Sequence, residues 1–222
     1  MNTSSTQINS AEIIRKLFPE SVTGVILPID DYQSHLHPDE VKIISTASIK
    51  RKLEFSTARW CAKQALASEG IQDFPILSGK NREPVWPKGF IGSISHCKDQ
   101  CSAVIAKKSD INSIGFDVEK LKKLKTDIAK AICTDAEIDW LSKQNEHSYD
   151  NLVLTIFSLK ESVYKCVFQH QRVKLGFKDC SITPNLNERT ANIIFHQQVI
   201  SPDIKLNFLI SGNHIYSSAI YL

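Results

Sequence analysis

No stretch of the 222-residue chain approaches eighteen consecutive apolar residues, so a membrane span is not expected. The opening MNTSSTQINS lacks both the basic and the apolar stretch of a secretory leader, and the expected location is the cytoplasm. None of the six cysteines (61, 97, 101, 133, 166, 180) forms a CxxC pair, which favours reduced, buried thiols over bridges. HCKDQC offers His96, Cys97 and Cys101, but no fourth ligand lies near them in sequence and the spacing fits no common zinc pattern. A net charge of +3 is too small to imply nucleic acid, and no helix-turn-helix cue, RNP motif or zinc finger occurs. Both phosphate-binding fingerprints, GxxxxGKS/T and GxGxxG, are missing. Internal repeats and low-complexity tracts are absent at the sequence level.

What remains is a chain with 42% hydrophobic residues, enough for one large domain or two half-size ones. From Ser48 to Glu69, Ile49, Leu53, Ala58, Cys61, Ala65 and Leu66 recur at helical spacing, and Gly70 stops the pattern. SGKNREPVWPKG, Ser78 to Gly89, reads as a loop able to pass close to a ligand. FIGSISH, CSAVIA and SIGFDVE read as strands. KTDIAKAICTDAEIDWLSK reads as helix, with Thr134 capping before Glu137, and a second long helix runs from about Leu152 to Phe168. TANIIFHQQV, KLNFLI and IYSSAIYL suit antiparallel strands. A boundary at 109–113 gives halves 1–110 and 111–222, each a small, mostly antiparallel sheet with one long helix, hence α+β. Trp60, Trp86 and Trp140 are expected to anchor core or loops, and His35 and His37 to lie in a polar loop.

NSIGFDVEK, Asn112 to Lys120, poses the chemical question. Ile114, Phe116 and Val118 point one way along a strand, and Gly115, Asp117 and Glu119 the other. Two carboxylates on one face repel unless a cation or a proton lies between them; a strand end entering water is the ordinary alternative. In TIFSLKESVYKCVF, the apolar stripe Ile156, Val163 and Val167 is bordered by Lys160, Glu161 and Lys165, costly neighbours for a buried surface unless paired or used. Glu161 and Lys165 are four apart and suit a simple ion pair. If this helix meets the acidic strand, however, Asp117, Glu119 and Glu161 form an oxygen site flanked by ammonium groups, which suits Mg²⁺ carrying a polyphosphate. Phosphate would then fall to the basic helix, the loop arginine Arg82, and Ser95 and His96 at a strand end.

As a set, REPVWP, GSISH, IGFDVE and FSLKESVYK, in this order, resemble the 4'-phosphopantetheinyl transferases of the large, surfactin-activating type. FSLKES is similar to the siderophore branch, the enterobactin-synthase component D proteins. The resemblance covers about Arg51 to Lys165. It implies two pseudo-symmetric α+β halves with coenzyme A in the cleft between them. It also implies transfer of the 4'-phosphopantetheine arm of coenzyme A to a serine of an apo acyl or peptidyl carrier protein, releasing 3',5'-ADP. By motif position Asp117, Glu119 and Glu161 would bind Mg²⁺, and Lys160 and Lys165 would lie near the pyrophosphate. Ser95, His96, Arg59 and Arg51 would contact coenzyme A phosphates. Where the family has Gly-Lys-Pro this chain has Arg82-Glu83-Pro84, so that Arg82 is the residue expected to supply the displaced charge beside Pro84.

Within that reaction Lys165 is expected to stabilise the transferring phosphoryl group and Glu161 to act as general base, with Glu119 acting through water as the competing assignment. A monomer is expected. The lysines Lys120, Lys122, Lys123 and Lys125, which leave the acidic strand, are expected either to steer an acidic carrier or to be a solvated loop.

Overall fold

A computed structural model describes residues 9–124, 128–196 and 203–222. Helix α1 (Ser10–Leu17) turns Ile13, Ile14 and Leu17 inward, and the Asn9 side chain accepts the Glu12 N–H to cap it. Then come β1 (Val22–Pro28), α2 (Pro38–Ile43), α3 (Ile49–Ser68), β2 (Phe90–His96) and β3 (Gln100–Lys107). The long helix α3 begins at its Ser48 cap and stops before Gly70, which takes φ +79°. Next follow β4 (Ser113–Lys120), α4 (Ile128–Ile132), α5 (Asp135–Ser142), α6 (Tyr149–Gln171), β5 (Cys180–Asn185), β6 (Thr190–Phe195), β7 (Ile204–Ser211) and β8 (His214–Tyr221).

The strands form two antiparallel sheets, β1-β3-β2 and β4-β8-β7-β6-β5. Helix α3 covers the outer face of the first, with Ala58, Ala62 and Leu66 against Ala103 and Ile105. Helix α6 covers the second, with Leu159, Val163 and Val167 against Ile182, Phe208 and Ala219. Ile14 and Leu17 of α1 join Val104, Phe116, Val118 and Tyr216 in a core between the sheets. The class is α+β, as the strand and helix patterns predict. In each unit the first strand is paired with the last, β1 with β3 and β4 with β8.

Some elements differ from the sequence reading. The single helix expected from Lys125 is two, because Thr134 interrupts it: its hydroxyl accepts the Glu137 N–H while the Glu137 carboxylate accepts the Thr134 N–H. Lys125 and the last residues of TANIIFHQQV lie outside the described residues. Strands β1 and β5 gave weak signals because Gly24 and Pro184 interrupt their patterns. All six cysteines are free and buried, and burial raises each thiol above its ordinary pKa.

A buried ionic device occurs twice. In the first unit Glu40, the third residue of α2, takes the His37 N–H at 2.8 Å and the Lys63 ammonium at 2.8 Å on Oε2. Its Oε1 takes the Ile76 N–H at 2.8 Å, and Lys63 also donates to His35 O. In the second unit Glu137, at the same place in α5, takes the Thr134 N–H and the Lys160 ammonium, each at 2.7 Å, on Oε2. Its Oε1 takes the Ile182 N–H at 2.7 Å, and Lys160 also donates to Ile132 O and Phe177 O. The glutamate and lysine are 23 residues apart in both cases. A buried carboxylate is tolerable only when its lone pairs are used, and here each ties a short helix, a long helix and the returning chain together.

Candidate active site

The two units meet where β2 lies beside β4 without pairing to it. Side chains satisfy the β4 backbone instead. Ser93 Oγ accepts the Phe116 N–H at 3.0 Å, and Gln169 accepts the Ile114 N–H while donating to Gly92 O at 2.8 Å. Lys165 Nζ donates to Phe116 O at 3.0 Å. Gly115 permits this arrangement, since a Cβ there would stand 1.9 Å from the Ser162 carbonyl oxygen of α6. Without side-chain bulk between them, α6 settles directly on β4 and brings Glu161 and Lys165 to the acidic strand face.

Asp117 is buried, at 4% exposure. Its Oδ1 accepts Ser95 Oγ–H at 2.7 Å and the Lys165 ammonium at 2.8 Å, and its Oδ2 is buried with no hydrogen-bond partner. Burial pushes Glu119 up to about 7, with the negative charge of Asp117 adding to the rise. Burial raises Glu161 too, against the pull of Lys165. Burial leads both shifts and the charge of Asp117 adds to each, although among the described residues the ligand atoms of Asp117, Glu119 and Glu161 do not all lie within 4.8 Å of one another. The acidic strand face therefore meets the lysine-bearing helix, the condition that the sequence left open.

A cleft of about 610 Å³ adjoins Lys165 and runs between the loop around Arg82, Pro84 and Trp86, strand β2, and the C-terminal half of α6. Tyr164, Phe168, Gln169 and Arg172 complete the α6 wall. At the end of β2, His96 Nε2 lies 3.3 Å from an Arg51 amino group, and Arg51 lies 3.6 Å from Glu54. Burial lowers the His96 pKa, with the charge of Glu54 opposing the fall and those of Arg51 and Lys165 adding to it.

Three assignments change. Lys160 is 3% exposed and spent on Glu137 and two carbonyls, so it is not a cation offered to the site. Arg59 is buried over the Phe55 ring, its Nε–H donating to Ile76 O at 2.8 Å, and burial lowers its pKa to about 10. It holds chain to α3, leaving Arg51 and His96 as the reachable basic groups there. The Ser95 hydroxyl donates to Asp117 and accepts the Val118 N–H, so it orients the acid rather than offering a free donor to phosphate.

Gln169, Tyr164, Phe168 and Arg172 were missed, although with Glu161 and Lys165 they follow the three-and-four spacing of one helix face. Trp86 belongs to the cleft wall, where Gly92 leaves room for its ring, and its buried Nε1–H has no partner. Lys120 is engaged by Asp99, which also accepts from His214 at 2.9 Å. Among the described residues, Cys97, Asp99 and His214 are the group whose ligand atoms lie within 4.8 Å of one another, replacing the His96, Cys97 and Cys101 trio weighed from sequence. Lys120 already neutralises its acid.

Two sheet-and-helix units are thus joined at an acidic strand and a lysine-bearing helix beside an open cleft. Sequence profiles make the class specific: residues 39–106 match the 4'-phosphopantetheinyl transferase N-terminal domain and residues 113–211 the 4'-phosphopantetheinyl transferase superfamily. The chain is 32% identical over 193 residues to 4'-phosphopantetheinyl transferase Npt of Nocardia iowensis, covering 86% of each. It is 31% identical to 4'-phosphopantetheinyl transferase Svp of Streptomyces mobaraensis over 77% of this chain and 71% of Svp. Enterobactin synthase component D of Salmonella typhimurium is 36% identical over 66% of this chain and 59% of its own. The chain belongs to the 4'-phosphopantetheinyl transferase family. Among the described residues no helix is long and apolar enough to cross a membrane.

Proposed function

We propose that the enzyme moves the 4'-phosphopantetheine arm of coenzyme A to a serine of an apo acyl or peptidyl carrier protein, releasing 3',5'-ADP. We place it in the large, surfactin-activating type, on the siderophore branch, a reading supported by the FSLKES helix and the likeness to enterobactin synthase component D. In this reading residues 1–110 supply nucleotide and phosphate contacts through Arg51, His96, Arg82 and Pro84, and residues 111–222 supply the carboxylates and catalytic helix. The protein works as a monomer in the cytoplasm.

The observation that carries the proposal is Asp117 Oδ2, a buried carboxylate oxygen without a partner, beside two acids whose pKa values are raised. This donor set fits a hard divalent cation, and Asp117, Glu119 and Glu161 would hold Mg²⁺. Bound there, Mg²⁺ would offset the charge that develops on the 5'-phosphate of the departing 3',5'-ADP. Lys165, fixed by Asp117 and Phe116 O, presents a cation from the cleft wall to the transferring phosphoryl group. Glu161 takes the proton of the carrier serine; Glu119 acting through water is the second reading.

The test is incubation with coenzyme A, Mg²⁺ and an apo carrier, read by intact mass. Gain of one phosphopantetheine on the serine is expected. Hydrolysis of coenzyme A without carrier loading would instead mark a phosphohydrolase, and binding without turnover a coenzyme A-binding protein.

A further inference from the structure

The acid that stands where the family has Gly-Lys-Pro does not face the cleft alone. Glu83 Oε1 accepts a hydrogen bond from Arg172 at 2.9 Å, across 89 residues of sequence, and both residues line the cleft from opposite walls. Glu83 Oε2 accepts the Asn81 N–H at 2.8 Å, closing the carboxylate back onto its own loop. Gly79 makes room for that fold, since a Cβ there would stand 2.5 Å from the Glu83 carboxyl carbon. The loop turns through Arg82 at φ +67°, and Arg172 ends α6 at φ +60° with its guanidinium 5.5 Å from the Phe168 ring centre. Two left-handed residues on facing walls therefore converge on one ion pair. A left-handed, non-glycine backbone is held by its surroundings, and here the pair is part of what holds it.

We propose that Glu83 and Arg172 form a clasp across the cleft mouth that sets how tightly the nucleotide end of coenzyme A is held, with Arg172 a positioning residue. This rests on the reading of the cleft as the coenzyme A site. Arg172 does two things: it pins the 79–85 loop to α6, and it neutralises an acid that would otherwise repel an anionic substrate. Half-exposed pairs are weak individually, so the clasp adjusts affinity rather than deciding it.

The test has a ligand-free and a ligand-bound readout. In the free enzyme, amide hydrogen exchange at Asn81 and Arg82 is expected to quicken in Arg172→Ala and to return toward wild type in Arg172→Lys. Unchanged exchange in Arg172→Ala overturns the clasp regardless of what coenzyme A does. Calorimetric binding of coenzyme A completes a double-mutant cycle with Glu83→Gln, which keeps the loop's shape and removes the charge. Arg172→Ala is expected to weaken binding about threefold in the wild-type background and not at all when combined with Glu83→Gln. An equal loss in both backgrounds overturns the proposal by making Arg172 a direct anion ligand. Quickened exchange with unchanged coenzyme A affinity overturns it too, while the cleft as the coenzyme A site is tested separately by whether wild-type enzyme binds coenzyme A at all.

Discussion

Gln64 follows the half-buried Lys63 in the first unit; Glu161 follows the buried Lys160 in the second. Three residues before each lysine is an aromatic ring, Trp60 against His35 at 4.1 Å and Phe157 against Phe177 at 5.5 Å. Four residues after Gln64 is Ser68, and four after Glu161 is Lys165. The glutamate–lysine anchor is shared, with Lys160 adding a second carbonyl, Phe177 O, yet one unit carries neutral side chains where the other carries an acid and a cation. The meeting strands differ in the same sense: β2 brings Ser93 and Ser95, and β4 brings Asp117 and Glu119. The lesson is that orienting α6 and doing chemistry from it are separable, the first being shared by both units and the second resting on a few substitutions.

The largest effect that would break this comparison is at the paired positions 161 and 64. Glu161→Gln is expected to cut carrier-loading kcat by about 100-fold or more while coenzyme A binding changes little. Gln64→Ala is expected to leave kcat within about twofold, since no reacting group meets it. A comparable loss at both would mean that the first unit takes part in the reaction. A loss of coenzyme A affinity equal to the loss of rate would make Glu161 a ligand alone.

Stability comes next. Lys160→Met leaves Glu137 buried and uncompensated and is expected to cost about 3–5 kcal/mol in urea unfolding. Lys63→Met is expected to cost less, about 1–3 kcal/mol, because the Lys63 side chain is 15% exposed and water can reach the vacated end. Equal costs would show that solvent access does not distinguish the two devices.

A pH series in chelator separates the units further. Glu119 rises from an ordinary 4.5 to about 7 on folding, so its contribution to stability is present in full below 4.5 and is lost as pH climbs through 7. Thermal midpoints are expected to fall over that window, and Glu119→Gln to flatten the fall. Adding Mg²⁺ should restore stability most at the alkaline end. A curve that is unchanged in Glu119→Gln would mean that this acid is not strained in the free enzyme.

The smallest effect concerns the lysines after β4. Because Lys120 is held by Asp99 and Lys125 lies outside the described residues, steering is assigned to Lys122, which lies 4.0 Å from Glu119, and Lys123. Their joint replacement by glutamine is expected to raise the carrier KM about two- to threefold at low salt, with the difference closing as salt screens it. A defect independent of salt would return these residues to an ordinary surface loop.

Much of this frame was legible in the sequence. Strands β2 and β4 and helices α3 and α6 announced themselves through alternation and apolar stripes, and the facing of Asp117 and Glu119 followed from counting by twos. Lys160 was misread because its partner Glu137 is 23 residues away, and only the folded packing of α5 on α6 shows that its charge is spent. The engagement of Ser95 and Arg59 was illegible for a related reason: sequence reveals a donor, but not whether that donor is already engaged. The two pseudo-symmetric halves were expected from the family resemblance, but their matching residues were not, because the match resides in hydrogen-bond roles, with His37 and Thr134 both capping a short helix despite different chemistry.

The side-by-side placement of β2 and β4 has a bearing on the protein's behaviour in a crowded solution. Each is the last strand of its own sheet, with backbone groups that could recruit a strand from another chain. Hydroxyl, amide and ammonium side chains occupy the β4 edge without extending the ladder, so two adhesive rims are hidden against each other. The rims left outermost are β1, which ends in Pro28, and β5, which contains Pro184, and a proline offers no N–H to a newcomer. The seam that assembles the site thus also guards the molecule against edge-to-edge association.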